Sequence, residues 1–255
     1  MNIRWHLLGT GTAVPIGRGL PCNALKVNGD IYLFDTGEGC QERLFKAGLG
    51  VVKVRAIFIS HLHGDHFFGL FGMIQSMHML DRDKTLYIIA PDSLRQILIT
   101  LQSKRIDSLG FNIEFIPIRE GSVVYSDHHL SVKPFSVDHG VEAYGFSIEA
   151  KRRHAIRKIV YSGDTRPCNS VLEEARGADL LIHEATFTSH MRDEAYRQGH
   201  STSLDAAIIA REARVKRLVL THISSRYENG YELYIDAYRF FKNVIVGEDY
   251  MIVFP

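Results

Sequence analysis

Three imidazoles and one carboxylate fall within the segment His61-Leu62-His63-Gly64-Asp65-His66, directly after the apolar run Val54-Arg55-Ala56-Ile57-Phe58-Ile59. A β-strand over that run would deliver several metal-competent side chains to one strand end. Histidine and aspartate donors together suit zinc and neighbouring transition metals. One ion cannot comfortably use all four groups at this spacing, so the crowding points to two metals. A two-metal hydrolytic site needs further His and carboxylate ligands, including one that bridges ions roughly 3.5–4 Å apart. Three residues downstream have suitable types and positions. His139 follows Phe135-Ser136-Val137-Asp138, Asp164 lies in a Gly-flanked turn, and His222 ends the run Leu218–Thr221. A lone strand-end histidine is more often an ordinary hydrogen-bonded residue. It is the cluster at 61–66 that turns these three into candidate ligands.

The elements that must position these side chains alternate between strand and helix patterns. Ala24–Val27 and Ile31–Phe34 flank Asn28-Gly29-Asp30, a hairpin signal. Gly37 to Ala47 reads as a helix, Val54 to Ile59 as a strand, and His66 to Met79 as an apolar helix packed inside the fold. Tyr87-Ile88-Ile89 is a strand, and Asp92 or Ser93 can cap a helix through Leu101. Short strands follow at Phe111–Pro117, Ser122–Tyr125, Leu130–Phe135, Tyr144–Ile148 and Ile159–Tyr161. A helix near Asn169–Arg176 then leads to a strand at Leu180–Ile182 and an amphipathic helix at Leu204–Ala213, with Leu204, Ala207, Ile208 and Ala213 as its inner face. Arg217–Leu220 closes the series as a strand. The two halves echo each other, one strand ending in Asp35 and its counterpart in Asp164, each followed by elements leading to a histidine (His61, His222). The pattern predicts an α/β fold of four layers, an αββα sandwich, whose halves share one site at their strand ends.

Composition sets the frame. With 255 residues, 45% hydrophobic and 23% charged, the chain suits one globular domain spanning residues 1–255. A formal net charge of +1 gives no global reason to expect nucleic-acid binding, although a local patch could serve. Cys22, Cys40 and Cys168 show no paired spacing, so neither a disulfide framework nor a zinc knuckle is expected. A reduced, cytoplasmic setting fits that usage. The opening segment is too short and polar for a signal peptide, and no apolar run reaches membrane-spanning length.

In series, Phe34-Asp35-Thr36-Gly37, His61-x-His63-x-Asp65-His66, His139, Ser162-Gly163-Asp164-Thr165 and Thr221-His222 resemble the motifs of the metallo-β-lactamase fold. Narrower segments resemble its ribonuclease Z branch, the endonucleases of tRNA 3′ processing. These are Leu8-Gly9-Thr10-Gly11-Thr12, Asp138-His139-Gly140, Tyr161 to Arg166, His183-Glu184-Ala185-Thr186-Phe187 and Gly199-His200-Ser201-Thr202. The resemblance covers essentially the whole chain. It implies one zinc on His61, His63 and His139, another on Asp65, His66 and His222, and Asp164 bridging; manganese or iron also suit such donors. Asp35 would orient the ligands or cap the turn before Gly37. The resemblance further implies His200 as general acid, with Glu184 holding it, and Asp65 as a second route for the proton of the attacking water. Otherwise Glu184 is a surface acid after a strand and His200 a cap before a helix. His6, His78, His128, His129, His154 and His190 match no motif position and are not expected as ligands. The implied reaction is hydrolysis of a phosphodiester, the substrate being precursor tRNA. The implied partners are that RNA and, as often in the family, a second copy in a homodimer.

Two departures bear on the substrate. The flexible arm that such enzymes insert between the third-motif histidine and the Ser-Gly-Asp-Thr turn has no room between His139 and Asp164. The family's early Pro-x-Lys-x-Arg-Asn loop is reduced to Pro15-Ile16-Gly17-Arg18-Gly19-Leu20. Both leave open a small-molecule or cyclic-nucleotide diester, or another substrate of the fold. The basic run Lys151–Lys158 reads either as a phosphate contact or as a solvated hairpin tip.

Overall fold

The computed structural model describes residues 3–103, 109–152 and 155–255. In chain order the first half contains β1 (Ile3–Gly9), β2 (Cys22–Val27), β3 (Asp30–Thr36), α1 (Cys40–Lys46), β4 (Val54–Phe58), α2 (Gly64–Phe67), α3 (Gly69–Met79), β5 (Leu86–Ala90), α4 (Ser93–Ser103) and β6 (Ile113–Pro117). The second contains β7 (Tyr125–Ser126), β8 (Leu130–Ser136), β9 (Tyr144–Arg152), β10 (Ala155–Tyr161), α5 (Asn169–Ala175), β11 (Leu180–Glu184), α6 (Arg192–Gln198), α7 (Ser203–Glu212), β12 (Leu218–Thr221), α8 (Tyr231–Tyr238), β13 (Val244–Val246) and β14 (Met251–Val253).

Two seven-stranded sheets result, ordered β14-β1-β2-β3-β4-β5-β6 and β13-β12-β11-β10-β9-β8-β7. The chain crosses back once, its last strand β14 pairing with β1. In each sheet four neighbouring strands run parallel, β3 to β6 and β10 to β13. Parallel strands need crossover helices to return the chain, and those helices cover the outer faces.

The layers are visible in where apolar side chains go. One buried cluster fills the space between the sheets, with Phe34 stacked on Phe58 at 4.9 Å and on Trp5 at 5.1 Å. A second joins the first sheet to its helices through Leu44, Leu70, Met73 and Leu94. A third joins the second sheet to Val171, Ala206, Ala210 and Leu233. Three cores separate four layers, the αββα sandwich the strand and helix pattern predicts.

Several local expectations shift. The helix expected over His66–Met79 starts at Gly64 and breaks at Phe68. Gly69 lies so close to the Gly37 backbone there that a Cβ would meet its oxygen at 2.3 Å. On α7 the buried face is Ala206, Ala207, Ile209, Ala210 and Ala213, while Leu204 and Ile208 are only half-buried. The helix packs on both α5 and α8 as well as the sheet, so its contact face is small and broad. Cys22 and Cys40, expected to be unpaired, form a disulfide with Cα atoms 5.7 Å apart. The β2–β3 hairpin and the turn into α1 fold the 18-residue separation back on itself. Cys168 is free. Among the described residues no helix is long and apolar enough to cross a membrane.

Candidate metal centre

The carboxyl ends of the central strands of both sheets meet at one edge of the sandwich. Asp35 is the last residue but one of β3, His61 follows β4, His139 follows β8, Asp164 follows β10, Glu184 ends β11 and His222 follows β12. Parallel strands thus bring residues far apart in sequence to a common rim, as ligand sites of open α/β sheets do. Two of these positions carry left-handed backbone, Asp35 at φ 60° and His222 at φ 55°. Such a conformation costs a non-glycine residue about 1–3 kcal/mol and persists only where surrounding bonds over-determine it.

All seven residues proposed as ligands come together. His63 Nδ1 lies 3.0 Å from His61 Nε2 and 3.1 Å from His139 Nε2. Those spacings approach the edge of a tetrahedron of nitrogens around zinc, roughly 3.3 Å for bonds of ~2.0 Å. Asp164 Oδ2 lies 3.2 Å from His66 Nε2 and 3.3 Å from His222 Nε2. It is also 3.8 Å from both His61 Nε2 and His139 Nε2, so one oxygen faces both groups. Asp65 Oδ2 is 3.6 Å from His66 Nε2 and from His222 Nε2. The triads His61–His63–His139 and Asp65–His66–His222 each have ligand atoms close enough to hold one ion.

The residues fit a metal pair on grounds beyond proximity. His66 Nε2 and His222 Nε2 are buried without a hydrogen-bond partner, and both face the Asp164 carboxylate. A buried polar atom left unpaired is costly, and a cation between nitrogen and carboxylate removes that cost. The opposite ring nitrogens are held. His61 Nδ1 meets Ser60 Oγ at 2.9 Å and His66 Nδ1 meets Asp35 Oδ2 at 2.9 Å. His139 Nδ1 donates to Gly199 O at 2.7 Å, and His222 Nδ1 meets Thr186 Oγ1 at 2.9 Å. Fixing one nitrogen as donor leaves the other as a lone pair for metal. Gly199, at φ 86°, can bring this acceptor so close because it lacks a Cβ, which would meet His139 O at 2.6 Å.

Charge points the same way. Burial opposes ionisation of Asp164, yet the neighbouring His222 and His66 hold it well below the usual carboxylate range. Burial likewise disfavours a charged His66, but Asp164 and Asp35 raise it well above its ordinary value. The two buried carboxylates therefore demand positive charge between them.

Glu184, expected either as a surface acid or as a partner of His200, is buried and 2.8 Å from His200 Nδ1. Its Oε1 also accepts from Thr165 N at 2.8 Å, and its Oε2 accepts from Thr186 Oγ1 at 2.8 Å. Burial disfavours the charged His200 ring, but the Glu184 carboxylate outweighs it and raises the pKa to about 9. His200 borders a cavity of about 520 Å³. Its other walls include His63, Asp65, His222, Phe187 and Arg226, the Arg226 guanidinium lying 4.9 Å over the Phe187 ring.

Other sequence readings resolve differently. Asp35 is no turn cap: it accepts from Ser60 N, Ser60 Oγ and Tyr161 OH at 2.8, 2.9 and 2.7 Å, besides contacting His66. Arg18 turns inward, its Nη1 donating to Thr10 Oγ1 and Gly247 O at 2.9 and 2.6 Å, so it braces its own loop. Within Lys151–Lys158, Arg153 and His154 lie outside the described residues. Its described residues lie at the end of β9 and the start of β10, the end opposite Asp164, which strand geometry puts about 20 Å away. Lys151 Nζ donates to Asp127 O, and Arg157 pairs with Asp179. His128 and His129, discounted as ligands, gather with Asp30 in a metal-sized group at that far end, but Asp30 Oδ2 already faces Arg55 Nε at 3.3 Å. Ser60, Tyr161 and Thr186 carry no ligand signature in sequence, being single hydroxyls, although Tyr161 and Thr186 lie inside motifs quoted above.

The fold and this rim of donors define a β-lactamase superfamily protein: residues 31–223 match the Beta-lactamase superfamily domain. Within it the chain belongs to the ribonuclease Z family. It is 34% identical to Ribonuclease Z of Ignicoccus hospitalis over 96% of both chains. It is 36% identical to that of Methanothermobacter thermautotrophicus, over 96% of this chain and 94% of the other. The structure of human tRNase Z, short form, superposes with a TM-score of 0.84 at 32% identity over 99% of each chain.

Proposed function

We propose that this protein is a two-metal phosphodiesterase that removes the 3′ trailer of precursor tRNA. The observation that carries the reading is the His200–Glu184 pair at 2.8 Å beside the seven-residue donor set, in a chain of the ribonuclease Z family. His61, His63 and His139 would hold one zinc, Asp65, His66 and His222 the other, with Asp164 between them. Manganese or iron suit the same donors. When bound, the metals supply an activated water and polarise the phosphoryl oxygen.

The chain's own groups do the rest. Asp65 is placed to accept a proton from the attacking water. As the phosphorus–oxygen bond to the leaving group breaks, His200 donates its Nε2 proton to the leaving alkoxide. Glu184 fixes Nδ1 as the donor to itself, orients the ring and stabilises its charged form. Cytoplasmic RNA processing, by a monomer or a homodimer, is the setting this reading implies.

Purified protein supplied with zinc or manganese should cut a 3′-extended precursor tRNA at the boundary of the mature tRNA. No cut there would reject the assignment. A second reading keeps the chemistry and changes the substrate to a small or cyclic diester. It is favoured by the β9–β10 connection, where Arg152 pairs directly with Ala155 and no inserted arm is present. Efficient turnover of a small diester with no measurable tRNA affinity would select it.

A further inference from the structure

Thr186 sits between two groups that the proposed reaction uses separately. Its hydroxyl lies 2.8 Å from Glu184 Oε2 and 2.9 Å from His222 Nδ1, and the side chain is buried. An ionised carboxylate can only accept, so the single hydroxyl proton goes to Glu184. The hydroxyl oxygen must then accept from His222 Nδ1–H. That leaves His222 Nε2 as the lone pair facing Asp164 and Asp65. The other Glu184 oxygen accepts from His200 Nδ1 at 2.8 Å. One continuous chain therefore runs from His200 through Glu184 and Thr186 to His222. It is rigidly mounted: Ser203 N bonds Phe187 O at 2.8 Å, tying the Thr186 loop to the segment that carries His200.

We propose that Thr186 is a positioning residue whose hydroxyl, oriented by Glu184, sets the His222 tautomer, so that the acid pair also governs retention of one metal. The inference rests on the metal and acid roles assigned above. It makes Glu184, which touches no metal-facing nitrogen, a determinant of metal affinity.

The test measures metal retention apart from turnover. Wild-type protein loaded with zinc, Thr186→Val, Thr186→Ser and Glu184→Ala are each titrated with a chelator, and cobalt-loaded samples are followed by their visible absorption. Loss of such an outer hydrogen bond typically weakens metal binding 10–100-fold. We expect that loss for one of the two ions in Thr186→Val and in Glu184→Ala, with retention restored in Thr186→Ser. Wild-type retention of both ions in Thr186→Val would overturn the proposal. So would a Thr186→Ser variant as weak as Thr186→Val, because the methyl group and not the hydroxyl would then be responsible. If Thr186→Val does not fold, undiminished metal retention by Glu184→Ala overturns it instead. Failure of every variant, wild type included, to cut precursor tRNA would count against the ribonuclease reading and leave this result standing.

Discussion

Tyr161, on the second sheet, donates its hydroxyl to Asp35 of the first sheet at 2.7 Å. At the opposite end of the sandwich the relation is reversed: Tyr32 of the first sheet donates to Asp127 of the second at 2.6 Å. Each sheet thus sends a buried tyrosine across the apolar core to a carboxylate of the other. Hydrogen bonds to charged groups contribute about 1.5–3 kcal/mol. Tyr161→Phe and Tyr32→Phe should each lower unfolding free energy by about that amount in urea titrations. Only Tyr161→Phe should also loosen bound metal, because only Asp35 holds a metal-facing histidine. Equal metal retention in both variants would contradict that difference.

His63 is the exposed member of its triad, while His61 and His139 are buried. Replacing it removes a nitrogen from the centre with little loss of packing. His63→Ala should keep its unfolding midpoint in metal-free protein, bind less zinc by elemental analysis, and lose hydrolysis of every diester tried.

The acid role of His200 predicts a dependence on the leaving group. A nitrophenolate departs without a proton, whereas the alkoxide of RNA requires one. General acid catalysis is worth roughly 10²–10⁴-fold. His200→Ala should lose that factor on precursor tRNA and far less on bis(nitrophenyl) phosphate. Equal losses on the two substrates would remove His200 from proton delivery.

Asp127 gives a pH dependence of stability. Burial works to raise its pKa, but hydrogen bonds from Tyr32, the backbone of His129 and Leu130, and Tyr125 outweigh it and lower the value from 3.8. A carboxylate with a lowered folded-state pKa stabilises the fold above the unfolded value and loses that contribution as pH falls through the folded one. Between pH 5 and the acid limb below 3.8, wild-type stability should therefore fall more steeply than that of Asp127→Asn, measured by denaturant titration at each pH.

The Cys22–Cys40 bond can be counted directly. Unreduced, denatured protein should show one reactive thiol, Cys168, and three after reduction. A loop of this size stabilises a fold by about 3 kcal/mol in the chain-entropy account, so Cys40→Ser should lower oxidised stability by up to that amount. Three thiols before reduction would refute the pairing.

Local patterns in the chain were enough to give the fold class and to name the candidate donors that the fold gathers. Alternating strands and helices specify layers, and five histidines and two aspartates at or just past strand ends mark candidate metal donors, because both signals are written in local spacing. The sequence left β1 unread although Ile3, Trp5 and Leu7 alternate there with Arg4 and His6. It missed the end strands β13 and β14, which are three residues each. The partners came from packing alone: Tyr161 for Asp35, Thr186 for His222 and Glu184, and Cys40 for Cys22. The tertiary structure also turned Arg18 inward onto Thr10 and Gly247, and put the described residues of Lys151–Lys158 at the end of the sheet away from Asp164. The reason is physical. A ligand's type and strand position are local properties, whereas the hydrogen bond that fixes its proton comes from whichever chain segment the sheet order brings within about 3 Å.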